Sequence, residues 1–96
     1  MIFSFHPEAV VELNQAVEYY EDCAKGLGLD FAIEINSTIE RILSHPQAWA
    51  ILKDDVRRCL VRRFPYGILY SIESEEILIL AVMNQHKEPE YWKNRI

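Results

Sequence analysis

The first half of the chain carries two sets of hydrophobic residues at helical spacing. Members of the first set lie three or four residues apart: Val10, Leu13, Val17 and Tyr20. The second set has the same spacing: Phe31, Ile35, Ile39, Ile42 and Leu43. This spacing predicts helices over about residues 8–24 and 30–44. Gly26 and Gly28 separate them, and the short connection predicts an antiparallel helical hairpin.

The remaining hydrophobic residues follow an extended pattern. A short strand is predicted at 2–5, an extended piece at 48–52, and longer strands at 56–64, 68–73 and 76–83. Residues 65–67 are predicted to form a turn or bulge, and 74–75 a tight turn. Grouped helices followed by strands favour an α+β fold of order β-α-α-β-β-β. We expect one domain over residues 1–96, with a mostly antiparallel sheet of about four strands packed on the N-terminal αα-hairpin. The other sheet face should be free to carry a site.

Basic residues are concentrated in the second half of an acidic chain. The net charge is −5, yet four arginines lie within the segment VRRCLVRRF. If that segment is one strand, Arg58 and Arg62 share one face, and Arg57 and Arg63 share the other. Two interpretations of this arginine-rich strand stay open. It is either exposed to solvent, with its arginines paired to the chain's surplus acidic residues, or it is a binding site for phosphates or for a partner's carboxylates.

Several other classes of protein and site are not supported by the sequence. The longest apolar run, 77–83, is far shorter than the ~18 residues that a membrane span needs. The N-terminus lacks the features of a signal peptide, so we expect a cytoplasmic protein. Cys23 and Cys59 are expected to be buried free thiols. No phosphate-binding glycine loop or metal-spaced histidine set occurs, so neither a metal nor a cofactor is expected.

The C-terminal tail offers one candidate set of chemical groups. His86 directly follows the last predicted strand, and Tyr91, Trp92 and Arg95 come soon after. An imidazole, a phenol and a guanidinium can together move a proton and stabilise charge on a phosphodiester. The alternative is that the aromatic residues anchor the C-terminus to the sheet. Pro89 is suited to begin a final helical turn.

Two segments give the chain a family resemblance: VRRCLVRRFPYGILY, and the tail ILILAVMNQHKEPEYWKNR. With the YY-ending helix and the G-L-G connection, they resemble the RelE/ParE toxin family of type II toxin–antitoxin modules, often described as plasmid stabilisation proteins. The resemblance covers nearly the whole chain and implies a small antiparallel sheet on a helical hairpin. It also implies a cognate antitoxin as partner in a hetero-oligomer, and no membrane association.

The resemblance leaves two activities open. ParE-like members arrest growth by binding DNA gyrase, whereas RelE-like members cut mRNA on the ribosome. For cleavage, His86 would carry the proton, Arg58 and Arg62 would hold phosphate, and Tyr91 would orient the groups. RNase members also carry an arginine three residues before the tyrosine matched by Tyr70, where this chain has Gly67. The residues expected to bind an antitoxin or target are all arginines: Arg57, Arg58, Arg62, Arg63 and Arg95.

Overall fold

A computed structural model describes residues 2–86 and 91–95. The elements run in chain order: β1 (Ile2–Phe5), α1 (Pro7–Cys23), α2 (Leu27–Ser44), β2 (Ile51–Lys53), β3 (Val56–Leu60), β4 (Tyr66–Glu73), β5 (Glu76–Asn84) and a short 3-10 helix (Lys93–Arg95). The strands form one sheet in the order β1-β5-β4-β3-β2, in which β1 runs parallel to β5 and every other pair is antiparallel. The predicted α+β fold is confirmed, with five strands because the extended piece before β3 joins the sheet.

The helical hairpin closes more tightly than the sequence predicts. The Glu21 carboxylate accepts hydrogen bonds from the backbone N–H groups of Gly26, at 3.0 and 3.1 Å, and of Gly28, at 3.1 Å. These donors at the start of α2 would otherwise lack partners, so α2 begins at Leu27 and not near Asp30. A Cβ atom on Gly28 would lie 2.6 Å from the backbone oxygen of Val17, so only glycine permits this approach of the helices.

One face of the sheet packs on the helices and forms the larger core. Buried residues from both layers meet there: Ala9, Ala16, Phe31, Ile35, Ile39, Ile42, Ile68, Tyr70, Ile77 and Ile79. Aromatic rings close one end, with Tyr20 and Phe31 at centroid distances of 4.8 and 5.1 Å from Phe64. Tyr70 is fully buried, donates to the Pro46 backbone oxygen at 2.6 Å, and has its pKa raised to about 12 by burial.

The opposite sheet face is not free, which corrects the expectation from the sequence. Trp92 is 1% exposed and lies in a second core on that face: Val56, Leu69, Leu80, Ala81 and Met83. A register shift in the β4–β5 pairing at Leu69 and Tyr70 lets two successive β5 residues face this core. The aromatic tail is therefore an anchor, whereas the turn predicted at Pro89 lies outside the described residues.

The strand boundaries around the arginine segment also differ from prediction. β3 ends at Leu60 and not at Phe64, because Arg63 has a φ of 71°, a left-handed conformation that breaks the extended backbone. β4 starts at Tyr66, two residues early, and the Val61 N–H donates to the Tyr66 carbonyl at 2.9 Å. The residues between the strands form a bend, which we call the 61–65 bend.

Two further findings bear on the sequence-based expectations. Cys59 is buried as expected, but Cys23 is exposed near the end of α1. Among the described helices, none has the length and apolar character needed to cross a membrane.

Candidate functional site

The four arginines of the VRRCLVRRF segment do not form a single strip. Arg57 points to the helix-facing side of β3 and donates to the backbone oxygens of Gln47, at 3.2 Å, and Trp49, at 2.7 Å. These bonds hold the loop that leads into β2 against β3. Arg57 therefore has a structural role, because its guanidinium is already hydrogen-bonded within the chain.

Arg58 lies on the other side of β3, beside an exposed groove. A Cβ atom on Gly67 would lie 3.3 Å from the Arg58 Cγ atom, so the arginine stem covers this glycine. Residues of α2, β2, β3 and the preceding loop line the groove: Arg41, Trp49, Ala50, Ile51, Leu52, Arg58 and Leu60. We call it the β3-edge groove. Its apolar part is open, with Ile51 54% and Leu60 49% exposed.

Arg62 and Arg63 diverge from each other within the 61–65 bend. Arg62 is exposed and lines a depression with Arg41 and His45, at the end of α2. Arg63 forms an exposed ion pair with Asp30 at 3.6 Å. Such a surface pair contributes little to stability. Arg41, which the sequence analysis did not single out, lines both this depression and the β3-edge groove.

Arg95 is held in a nearly buried ion pair. Its guanidinium donates to both Glu12 carboxylate oxygens, at 2.8 and 3.1 Å, and to the Leu80 carbonyl at 3.0 Å. The side chains of Arg95 and Glu12 are only 11% and 17% exposed. The same carboxylate accepts the backbone N–H of Val82 at 3.0 Å. Glu12 thus ties α1, β5 and the C-terminal segment together.

Tyr91 belongs to this same internal cluster. The Arg95 guanidinium carbon lies 4.9 Å from the Tyr91 ring centroid. Burial first, and then the neighbouring Glu12 carboxylate, raise the pKa of the Tyr91 phenol. The phenol therefore stays protonated across the physiological pH range and cannot act there as a base.

His86 is exposed in the turn after β5. Its backbone N–H donates to the Asn84 side chain at 2.9 Å, and the neighbouring Gln85 N–H donates to the Pro65 carbonyl at 2.9 Å. His86 and the 61–65 bend therefore lie at the same end of the sheet. In the sheet, β4 lies between β5 and β3, so the backbones of β5 and β3 are about 10 Å apart.

The structure brings together only part of the predicted set. Arg58 and Arg62 lie on the β3 side, and each shares a depression with Arg41. Tyr91 and Arg95 lie on the α1–β5 side. Sequence reasoning missed Glu12, although its spacing offered a signal: it lies three residues after Ala9 and four before Ala16, both buried. Among the described residues, no three His, Cys, Asp or Glu side chains gather as metal ligands would.

Comparisons with known proteins give two findings. A family model described as the ParE toxin of the type II toxin–antitoxin system parDE matches residues 3–89. A solved structure titled "Chromosomal ParDE TA system from P. aeruginosa" superposes with a TM-score of 0.74 and 18% identity, over 88% of this chain and 95% of that one. At that identity, the likeness concerns the fold. No curated protein sequence gives a significant match.

Proposed function

The chain belongs to the ParE toxin family of type II toxin–antitoxin systems, and from this premise we propose that it arrests growth by binding a target protein, DNA gyrase or a similar enzyme. A cognate antitoxin neutralises it in a hetero-oligomer. Since gyrase acts in the cytoplasm, we assign the protein to that compartment. The observation that carries the proposal is the separation of the residues that RNA cleavage would need.

Cleavage of RNA by its own 2′-OH requires a base, an acid and cations around one phosphate. Here Arg58 and Arg62 lie beside β3, whereas Tyr91 is packed with Glu12 and Arg95 on the far side of β4. At Gly67, the RNase members' additional arginine is missing, and the stem of Arg58 fills the space above that glycine. This arrangement supports a binding protein over a nuclease.

The charge distribution favours a protein as partner. The chain has a net charge of −5, which disfavours entry into ribosomal RNA. Among the described residues, neither Arg58 nor Arg62 forms an ion pair, so both guanidiniums are available to donate hydrogen bonds to a partner's carboxylates. We therefore propose Arg58 and Arg62 as the main binding arginines, with Arg63 as a weaker contributor. Arg57 acts within the fold by holding the loop beside the β3-edge groove, whereas Arg95 acts within the fold on the opposite, α1–β5 side.

A ribosome-dependent mRNA endoribonuclease is the second candidate. It is favoured by the exposed imidazole of His86, which lies at the same end of the sheet as the 61–65 bend. In that activity, His86 would be the proton carrier, and Arg62 would hold phosphate. This candidate requires the ribosome to supply the groups that the chain does not assemble.

Induction of the chain in a bacterium separates the two activities. Incorporation of labelled thymidine and methionine is followed in parallel for the native chain and for His86→Ala. We expect thymidine incorporation to fall first and the variant to be equally toxic. Methionine incorporation falling first, with loss of toxicity in His86→Ala, would establish RNA cleavage instead. Continued growth of both strains, with the protein present and folded, would refute the toxin assignment.

A further inference from the structure

Of the two edge strands of the sheet, only β2 carries features that prevent pairing with a further strand. β2 contains Lys53 and an irregular register between Ile51 and Lys53. Charged residues and bulges of this kind protect sheet edges. β1, at the other edge, has the sequence IFSF, which contains no charged residue and no proline, and its pairing with β5 is regular. The β1 edge is therefore open to a further strand.

The backbone of β1 offers hydrogen-bonding groups on its open side. The His6 N–H donates to the Ile79 carbonyl at 2.8 Å and so points toward β5. Because the backbone groups of successive residues point alternately to the two sides of a strand, those of Ser4 also point toward β5. Those of Phe3 and Phe5 point away from it. Among the described residues, no strand lies on that side of β1.

An apolar cleft of about 300 Å³ adjoins this edge on the helical side of the sheet. It is lined by Phe3 and Phe5 of β1 and by residues of α1 and α2, none of which is charged. Phe3 is 40% exposed, and its ring centroid lies 5.9 Å from that of Phe5. The polar groups of the lining are the neutral amides of Asn14 and Asn36. Unlike the β3-edge groove, which contains arginines, the cleft offers no charge to a partner.

This surface is complementary to a second copy of the chain. Each copy carries a net charge of −5, so two copies can approach most easily through an uncharged surface. The outward backbone groups of Phe3 and Phe5 lie symmetrically about Ser4. Two antiparallel β1 strands related by a twofold axis at Ser4 therefore place Phe3 of each copy opposite Phe5 of the other. Each such pair can exchange both of its backbone hydrogen bonds.

We propose that two copies of the chain associate through β1, so that their sheets join into one continuous sheet with both helical hairpins on the same side. The rings of Phe3 and Phe5 from both copies then close the two clefts against each other, since directly opposed aromatic residues on one sheet face attract. The inference does not rest on the proposed function, because no step of it uses a target or an antitoxin.

The first measurement is sedimentation velocity of the full chain, without antitoxin, from about 10 µM to about 1 mM. A short strand pair with adjoining rings buries a small area, and small interfaces bind weakly, so the high concentrations are needed. We expect reversible dimers, and more dimer as salt is added, because salt screens the repulsion between two negative chains. A monomer throughout, or a dimer that dissociates as salt is added, would overturn the proposal.

NMR locates the interface in the same samples. Between about 50 µM and about 1 mM, hydrogen exchange at the Phe3 and Phe5 amides should slow by about threefold or more, whereas exchange at Ser4, which faces β5, should change little. A mixture of isotope-labelled and unlabelled chains should show contacts between Phe3 and Phe5 rings of different copies. Concentration-dependent changes confined to the β3-edge groove would place the dimer contact elsewhere and refute the proposal.

Two pairs of substitutions separate the side-chain and backbone contributions. Phe3→Lys should weaken the dimer by about tenfold or more, because it places a charge on the open edge, whereas Ile51→Lys, on the exposed β2 edge, should change it by less than about twofold. Phe3→Pro removes an outward N–H without breaking a bond to β5, and should weaken the dimer about tenfold more than Phe3→Ala. Equal affinities within either pair would exclude association through β1. Circular dichroism checks that each variant folds, and the NMR measurements test the proposal without any substitution.

Discussion

Substitution of Glu12 on α1 should destabilise the protein strongly. Glu12→Ala removes two charge-assisted bonds to Arg95, at 2.8 and 3.1 Å, and one to the Val82 N–H, at 3.0 Å. It leaves a guanidinium and a β5 amide largely screened from water. Breaking a buried ion pair from one side costs about 3–5 kcal/mol. Because the pair retains 11 and 17% exposure, we take the lower end, about 3 kcal/mol.

The measurement is urea and thermal unfolding, followed by circular dichroism and by the fluorescence of the two tryptophans, Trp49 and Trp92. A loss of about 3 kcal/mol corresponds to a fall of roughly 12–24 °C in Tm for a domain of this size. Glu12→Gln keeps one acceptor and should lose about half as much stability. The matched control is Glu18→Ala, an exposed position of the same helix, which should stay within about 0.5 kcal/mol of the native chain.

A double-mutant cycle isolates the pair itself. Once Glu12→Ala is present, Arg95→Ala should cost far less than it does alone, because the guanidinium no longer has its partner. Additive effects, or a Glu12→Ala variant as stable as Glu18→Ala, would show that the carboxylate does not hold the C-terminal segment. The role assigned to Arg95 within the fold would then be wrong.

Three further changes test the local packing. Gly28→Ala should lose about 1–3 kcal/mol in urea unfolding, since its Cβ atom would lie 2.6 Å from the Val17 oxygen. An equally stable variant would contradict the helix contact. Arg57→Ala should speed amide hydrogen exchange in the loop before β2 while leaving β5 protected, and unchanged loop exchange would contradict its anchoring role. In the native protein, a thiol reagent should label exposed Cys23 but not Cys59, whose pKa is raised by burial, and labelling of both would refute that burial.

The elements that the sequence predicted well are those with strong periodicity. The hydrophobic spacing along α1 and α2 follows from burial of one face of each helix, and the apolar run of β5 follows from burial on both faces of the sheet. Both depend on residues close together in the chain. For that reason they could be predicted without knowledge of the tertiary structure.

The misplaced boundaries have causes that a local pattern does not contain. β3 ends early because Arg63 adopts a left-handed backbone conformation. Glycine is the usual residue in that conformation, and the segment contains none, so the sequence does not predict it. α2 begins early because Glu21, six residues before Leu27, caps it with a side chain. Neither the Arg63 conformation nor the Glu21 cap changes the spacing of apolar residues. The hydrophobic pattern therefore predicted a β3 that is too long and an α2 that is too short.

The candidate site was the least predictable part. Arg95 and Glu12 are 83 residues apart in sequence, and their pairing depends on the whole sheet order. The sheet face that was expected to be free is covered by Trp92. This contact joins residues that are distant in sequence, so a local pattern does not reveal it. Strand alternation predicted that Arg57 and Arg58 lie on opposite faces, but only the tertiary structure shows that Arg57 bonds within the chain and that Arg58 faces the groove.

The most direct test of the central claim is a pair of reactions with the purified chain. One follows supercoiling of relaxed plasmid by DNA gyrase, and the other follows cleavage of mRNA on translating ribosomes. We expect inhibition of gyrase, unchanged in His86→Ala, and intact mRNA at the same protein concentration. Cleaved mRNA that depends on His86, with gyrase unaffected, would contradict it.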